Sequence, residues 1–141
     1  MIKKPLLLLV SCILAGCRSS SVDPAMKQYL DKAASDFNLM AHAASEQKER
    51  KLLGTQAGPG LGLTFNYRIE RFAAKDRNSA ELSGYSETLR SELPAKLNRT
   101  ELFKDFAKHQ VVLTYVYAGA DGTELFRIRL VPVAGQGYGP G

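Results

Sequence analysis

The side chains that could do chemistry are few and widely spaced. The only imidazoles, His42 and His109, have no second metal-ligating residue at the spacing of a zinc motif. The chain contains no Gly-x-Ser-x-Gly elbow, so the run Ser83-Gly84-Tyr85-Ser86 indicates the start of a helix rather than a nucleophile. We therefore expect no catalytic residues, no metal and no cofactor.

Two further sequence patterns resemble known functional motifs only superficially. Gly58, Gly60 and Gly62 suggest a phosphate loop, but such loops lead into a helix, and here the sequence predicts a strand. Glu87 and Glu92 could form a glycosidase pair only if they shared one face, and the predicted helix separates them. Both patterns favour ordinary structural roles.

Three arginines on predicted strands could recognise a partner. Arg68, Arg127 and Arg129 alternate with apolar residues, so all three are expected to point away from the core. A guanidinium can bind a carboxylate or phosphate through two parallel hydrogen bonds. The alternative is that these side chains only solvate an open sheet face.

Three tyrosines form the second candidate group. Tyr67, Tyr115 and Tyr117 lie on predicted strands, and tyrosine is enriched at protein interfaces. They form either an aromatic patch at the sheet surface or part of the core with their hydroxyls at its rim. A nucleic-acid partner is not expected, because the charges of the chain are scattered and form no basic stripe.

The N-terminal segment indicates export. Met1–Lys4 contains two lysines, and the apolar run from Pro5 to Ala15 is interrupted only by Ser11 and Cys12. A basic start followed by 7–15 apolar residues is typical of a secretory signal peptide. A transmembrane helix needs roughly 20 apolar residues, so this run is too short to be one.

The apolar run ends in Leu14-Ala15-Gly16-Cys17, which resembles the lipobox of a bacterial lipoprotein precursor. The resemblance implies that residues 1–16 are removed and that Cys17 carries lipid, including palmitate. Residues 17–23 would then be the lipidated cysteine and a tether. Arg18 and Ser19 follow in place of the aspartate that retains such proteins at the inner membrane, which implies the outer membrane, facing the periplasm.

Length and composition are those of a small globular protein. The chain has 141 residues, 45% hydrophobic and 23% charged, which predicts one globular domain. Part of its net charge of +5 comes from Lys3 and Lys4 in the signal peptide. The mature chain would contain no free thiol, and the mixed-charge run 48–51 indicates a solvated turn.

Periodicity predicts the first half of the domain. Apolar residues repeat at helical spacing over residues 24–45, behind the capping pair Asp23-Pro24. A short strand over 51–57, a turn at 58–60 and an alternating strand over 63–69 predict a hairpin.

The second half repeats this order. Helices are predicted over 82–93, ended or kinked by Pro94, and over 97–106, capped at Asn98 or Thr100. Strands over 111–117 and 125–131 flank the turn pair Asp121-Gly122. The glycine-rich tail 134–141 is expected to be disordered.

The predicted fold is α+β, a four-stranded, mostly antiparallel sheet in the order helix, hairpin, helices, hairpin, with the helices on one face and a single domain over 24–133. The lipoprotein resemblance implies a non-catalytic module that binds another envelope protein, as an assembly or pilot factor or as a hydrolase inhibitor or immunity protein. The alternative is an envelope module that binds a glycan or a small molecule.

Overall fold

The computed structural model describes residues 22–43, 49–135 and 137–141. The helices are α1 (Pro24–Ala43), α2 (Ala80–Leu97) and α3 (Glu101–Lys108), with a short 3-10 turn at Ala74–Asp76. The strands are β1 (Arg50–Ala57), β2 (Gly62–Ile69), β3 (Val112–Gly119), β4 (Glu124–Val133) and β5 (Gly137–Pro140).

The strands form one mixed sheet in sequence order. β1 and β2 form an antiparallel hairpin, as do β3 and β4, which confirms the two predicted hairpins. β2 and β3 run parallel, because the chain crosses over through α2 and α3 and returns to the same end of the sheet. The sheet therefore has five strands and one parallel pair, whereas the sequence predicted four strands with mostly antiparallel pairing.

The predicted disorder of the tail is wrong for residues 137–140. They form β5, which pairs antiparallel with the end of β4. Tyr138 is buried and its hydroxyl donates to the carbonyl of Val111 at 2.6 Å. Order in this glycine-rich segment thus comes from one large side chain and a partner distant in sequence.

Two helix ends also differ from expectation. α2 begins at Ala80, two residues before the predicted start at residue 82, because the Ser79 hydroxyl accepts a hydrogen bond from the Leu82 amide and caps the helix. The helix passes through Pro94 to Leu97. Proline removes a single amide donor there, and the turn is completed by the amide of Asn98 donating to the Pro94 carbonyl.

The helices pack on one face of the sheet, which we call the inner face. The sheet contributes alternate residues of β2, β3 and β4 to the core, and α1 contributes Leu30 and Ala34. Phe37 of α1 stacks edge-on against Phe65 of β2, with ring centroids 5.1 Å apart. No described helix lies over the other face, which we call the open face.

At each edge of the sheet, an asparagine side chain forms hydrogen bonds with the backbone of one residue of the edge strand. Asn38 of α1 donates to the Thr55 carbonyl and accepts from the Thr55 amide, at 3.0 and 2.6 Å. Asn98 makes the same pair of bonds with Tyr138 of β5, at 3.1 and 2.8 Å. Each amide thereby takes the place of a neighbouring strand along one residue of an edge.

Within the described residues, the helices are too short or too polar to cross a membrane.

Candidate functional site

The structure puts the three predicted arginines on the open face. In the register of the sheet, Arg127 pairs with Val116 and Arg129 with Thr114, while Arg68 pairs with Ala118. Residues that pair across neighbouring strands point to the same side. The predicted facing of Arg68, Arg127 and Arg129 is therefore confirmed.

These arginines differ in their partners. Arg127 forms a two-pronged ion pair with Glu124, at 2.8 and 2.6 Å, and this hydrogen bonding lowers the pKa of the Glu124 carboxyl. Arg68 lies 3.7 Å from a carboxylate oxygen of Glu70, and its buried Nε atom has no hydrogen-bond partner among the described residues. Arg129 forms no ion pair within that part of the chain.

The tyrosines do not form a patch on the sheet surface. Tyr115 and Tyr117 are 3% and 1% exposed, and Tyr67 is partly buried against the same core. They lie on the inner face because they alternate with the open-face residues of the same strands. The predicted surface patch is wrong, and the alternative, packing in the core, is confirmed.

The aromatic rings stack across the strands. Phe65 lies on Tyr115 with centroids 4.7 Å apart, and Tyr67, Tyr117 and Phe126 continue a second stack at 5.3 and 4.7 Å. The register aligns each of these pairs directly. Cross-strand aromatic pairs of this kind contribute roughly 0.2–1 kcal/mol each.

A cavity of about 270 Å³ lies between these rings and the helices. We call it the aromatic cavity. Its walls come from three helices and three strands, and its apolar lining consists of Phe37, Leu52, Phe65, Leu89, Leu93, Leu97 and Phe103. Its polar lining consists of Arg50, Tyr67, Glu92, Lys96, Tyr115 and Tyr117.

The three tyrosine hydroxyls of the cavity are un-ionised at neutral pH. Burial raises the pKa of each hydroxyl above its ordinary value, most strongly for Tyr115 and Tyr117. None of the three forms a hydrogen bond with another described residue. Each can therefore donate a hydrogen bond to a ligand or accept one from it.

Arg50 is the residue that sequence reasoning missed. Its place in the mixed-charge run 48–51 indicated a solvated turn, whereas the structure puts it first in β1, pairing with Ile69 on the inner face. Its guanidinium donates to the Tyr85 hydroxyl at 3.3 Å and forms no ion pair with a described carboxylate. The signal lay in the alternation with Leu52, which also lines the cavity.

The remaining candidates are not brought together. His109 ends α3, where its Nδ1 atom lies 2.9 Å from the Asp105 carbonyl oxygen, and the side chain of His42 is outside the described residues. Gly58 and Gly60 have positive φ in the loop between β1 and β2, as the turn prediction requires. Cys17 also lies outside the described residues.

The described part of the chain groups no three residues that could hold a metal ion.

Comparison with known proteins defines the fold alone. No family model and no curated protein sequence matches the chain. The structure is similar to the crystal structure of a putative secreted protein from Pseudomonas aeruginosa, with a TM-score of 0.54 and 12% identity. The match covers 77% of this chain and 94% of that one.

Proposed function

We propose that the chain is a non-catalytic binding module of the cell envelope, and that its open face recognises an acidic segment of another envelope protein. The observation that carries this proposal is the common facing of Arg68, Arg127 and Arg129 on a sheet surface with no described helix over it. Arginines at the centre of an interface commonly dominate binding.

The chemistry of the partner follows from the charges on this face. Lys51 lies opposite Arg68 on the neighbouring strand and adds a fourth cation to this face. The Glu124 carboxylate is already hydrogen-bonded to Arg127. Arg129 has no carboxylate partner among the described residues. A partner that brings a carboxylate to Arg129 would complete the pairing, because arginine binds carboxylates bidentately.

The test is cross-linking in intact cells with the triple variant Arg68→Ala, Arg127→Ala, Arg129→Ala. The captured partner should be lost, because truncating an arginine that is a binding hot spot weakens binding by about thirtyfold, or about 2 kcal/mol. The matched control, Lys75→Ala, Arg99→Ala, Lys108→Ala, removes the same charge from exposed positions elsewhere and should capture the partner normally. Unchanged capture by the first variant would exclude the open face as the binding surface.

We also propose that the module acts outside the cytoplasm, held at the outer membrane by lipid on Cys17. The lipobox-like run 14–17 supports the lipid anchor, and the secreted-protein description of the structural neighbour fits a location outside the cytoplasm. Burying acyl chains contributes about 0.8 kcal/mol per CH₂, and more than one chain is needed for stable anchoring.

Metabolic labelling with palmitate tests the anchor. Cys17→Ser should abolish acylation and release the protein from membranes or leave it unprocessed. Cys12→Ser, a matched change inside the apolar run, should leave labelling intact. Acylation that persists in Cys17→Ser would exclude the proposed anchor.

A further inference from the structure

The aromatic cavity combines apolar walls with a cation, Arg50, that has no anionic partner among the described residues. Arg50 is half-buried at the cavity, and among the described residues its side chain bonds only to the neutral hydroxyl of Tyr85. A guanidinium that is partly removed from water is stabilised by a carboxylate far more than by a neutral hydroxyl. The arrangement therefore leaves a place for an anion beside Arg50.

The tyrosines supply further donors at the same place. Tyr67 and Tyr117 lie on neighbouring strands with their rings 5.3 Å apart, and both line the cavity together with Arg50. Their hydroxyls have no partner within the described part of the chain. Neutral hydroxyls next to a guanidinium form a donor set suited to the oxygens of one anionic group.

We propose that the aromatic cavity is a binding site for a small apolar monoanion, with its carboxylate on Arg50 and the tyrosine hydroxyls and its apolar body against the phenylalanines. This site lies on the opposite side of the sheet from the proposed protein-binding face and is independent of it.

Charge and size define the ligand class. The described charged groups lining the cavity are Arg50, Lys96 and Glu92, two cations and one anion. A single negative charge balances this set, whereas a dianion would be repelled by the glutamate. The volume of about 270 Å³ lies just below the range of drug-sized ligand sites, roughly 300–1,000 Å³, so the apolar body of the ligand is one ring or a short alkyl chain.

Isothermal titration with 3-phenylpropionate tests the proposal, using the full chain in lipid nanodiscs with empty nanodiscs as the blank. We expect saturable binding of one ligand per chain, with a dissociation constant of about 1 mM or tighter for a ligand of this size. The uncharged analogue 3-phenylpropan-1-ol should bind at least about tenfold more weakly, because it forms no charge-assisted hydrogen bond.

Two neighbouring cations provide a matched pair of variants. Arg50→Gln should weaken binding of 3-phenylpropionate by about tenfold or more. Lys51→Gln removes an equal charge from the next residue of β1, which faces the other side of the sheet, and should leave binding unchanged. If Arg50→Gln does not fold, Tyr117→Phe, which keeps the ring stack, should still weaken binding of the carboxylate but not of the alcohol.

Four outcomes would overturn the proposal. Absence of saturable binding would remove the site. Equal affinity for the alcohol, or an equal loss in Lys51→Gln, would remove the role of the cavity cation. Displacement of bound 3-phenylpropionate by an equal concentration of inorganic phosphate would show that the apolar body of the ligand is not recognised.

Discussion

The two faces of the sheet use the same residue types in opposite ways. On the inner face, Arg50 lies among aromatic rings and bonds to a tyrosine hydroxyl. On the open face, Arg127 lies in water and is paired with Glu124. An exposed pair of this kind contributes little to stability because solvent screens it, whereas a cation at a cavity keeps most of its attraction for an anion.

The two faces would therefore select their ligands by different properties. The open face presents several cations on neighbouring strands and can match a broad acidic surface through their spacing. The inner face presents two cations, Arg50 and Lys96, and one anion, Glu92, around a limited volume and can select a ligand by size and charge together. Because successive side chains of a strand point to opposite faces, neighbouring residues of β1, β2 and β3 belong to different faces of the sheet.

Truncating a core aromatic ring should destabilise the fold most. Phe65→Ala should lower the free energy of unfolding by roughly 3–5 kcal/mol, because the ring is 2% exposed and packs between Phe37 and Tyr115. Chemical denaturation measures this loss. Asn66→Ala, the next residue along β2 and on the open face, should change it by about 0.5 kcal/mol or less. Equal losses in the two variants would mean that both faces are covered.

An intermediate effect is expected at the edge of the sheet. Asn98→Ala would leave the amide and carbonyl of Tyr138 without their partner, which should cost about 1–3 kcal/mol per buried group left unpaired. Hydrogen exchange should show early loss of protection at the Tyr138 amide. Asn78→Ala changes an exposed asparagine and should leave exchange there unaltered. Retained protection in Asn98→Ala would show that β5 is held by its pairing with β4 alone.

Local patterns predicted the elements that depend on near neighbours. The alternation over 63–69 gave β2 and its facing, and Asp121-Gly122 gave the turn between β3 and β4, where Gly122 has the positive φ that glycine favours. Each of these signals lies within a few residues of the structure that it predicts. The same alternation correctly separated Arg68 from Phe65.

Features that depend on distant residues could not be predicted in this way. β5 forms because Tyr138 meets Asn98 and Val111, and nothing within the glycine-rich tail indicates either partner. The parallel pairing of β2 with β3 depends on where the helical crossover returns the chain. Arg50 was hidden because its charged neighbours resemble a solvated turn, although its strand position places it inside.

The ion pair between Arg127 and Glu124 on the open face should show a small, local change in titration. Hydrogen bonds from Arg127 lower the pKa of Glu124, so this carboxylate stabilises the fold above its unfolded pKa, about 4.3, and the contribution is lost as the pH falls through the lower folded value. In Arg127→Gln, a carbon-detected NMR titration should show the Glu124 midpoint moving up toward the ordinary value. Arg129→Gln removes an equal charge two residues along β4 on the same face and should leave that midpoint in place. If both variants move it equally, the general charge of the open face, rather than the two-pronged pair, controls Glu124, and Arg127 would then be as available to a partner as Arg129.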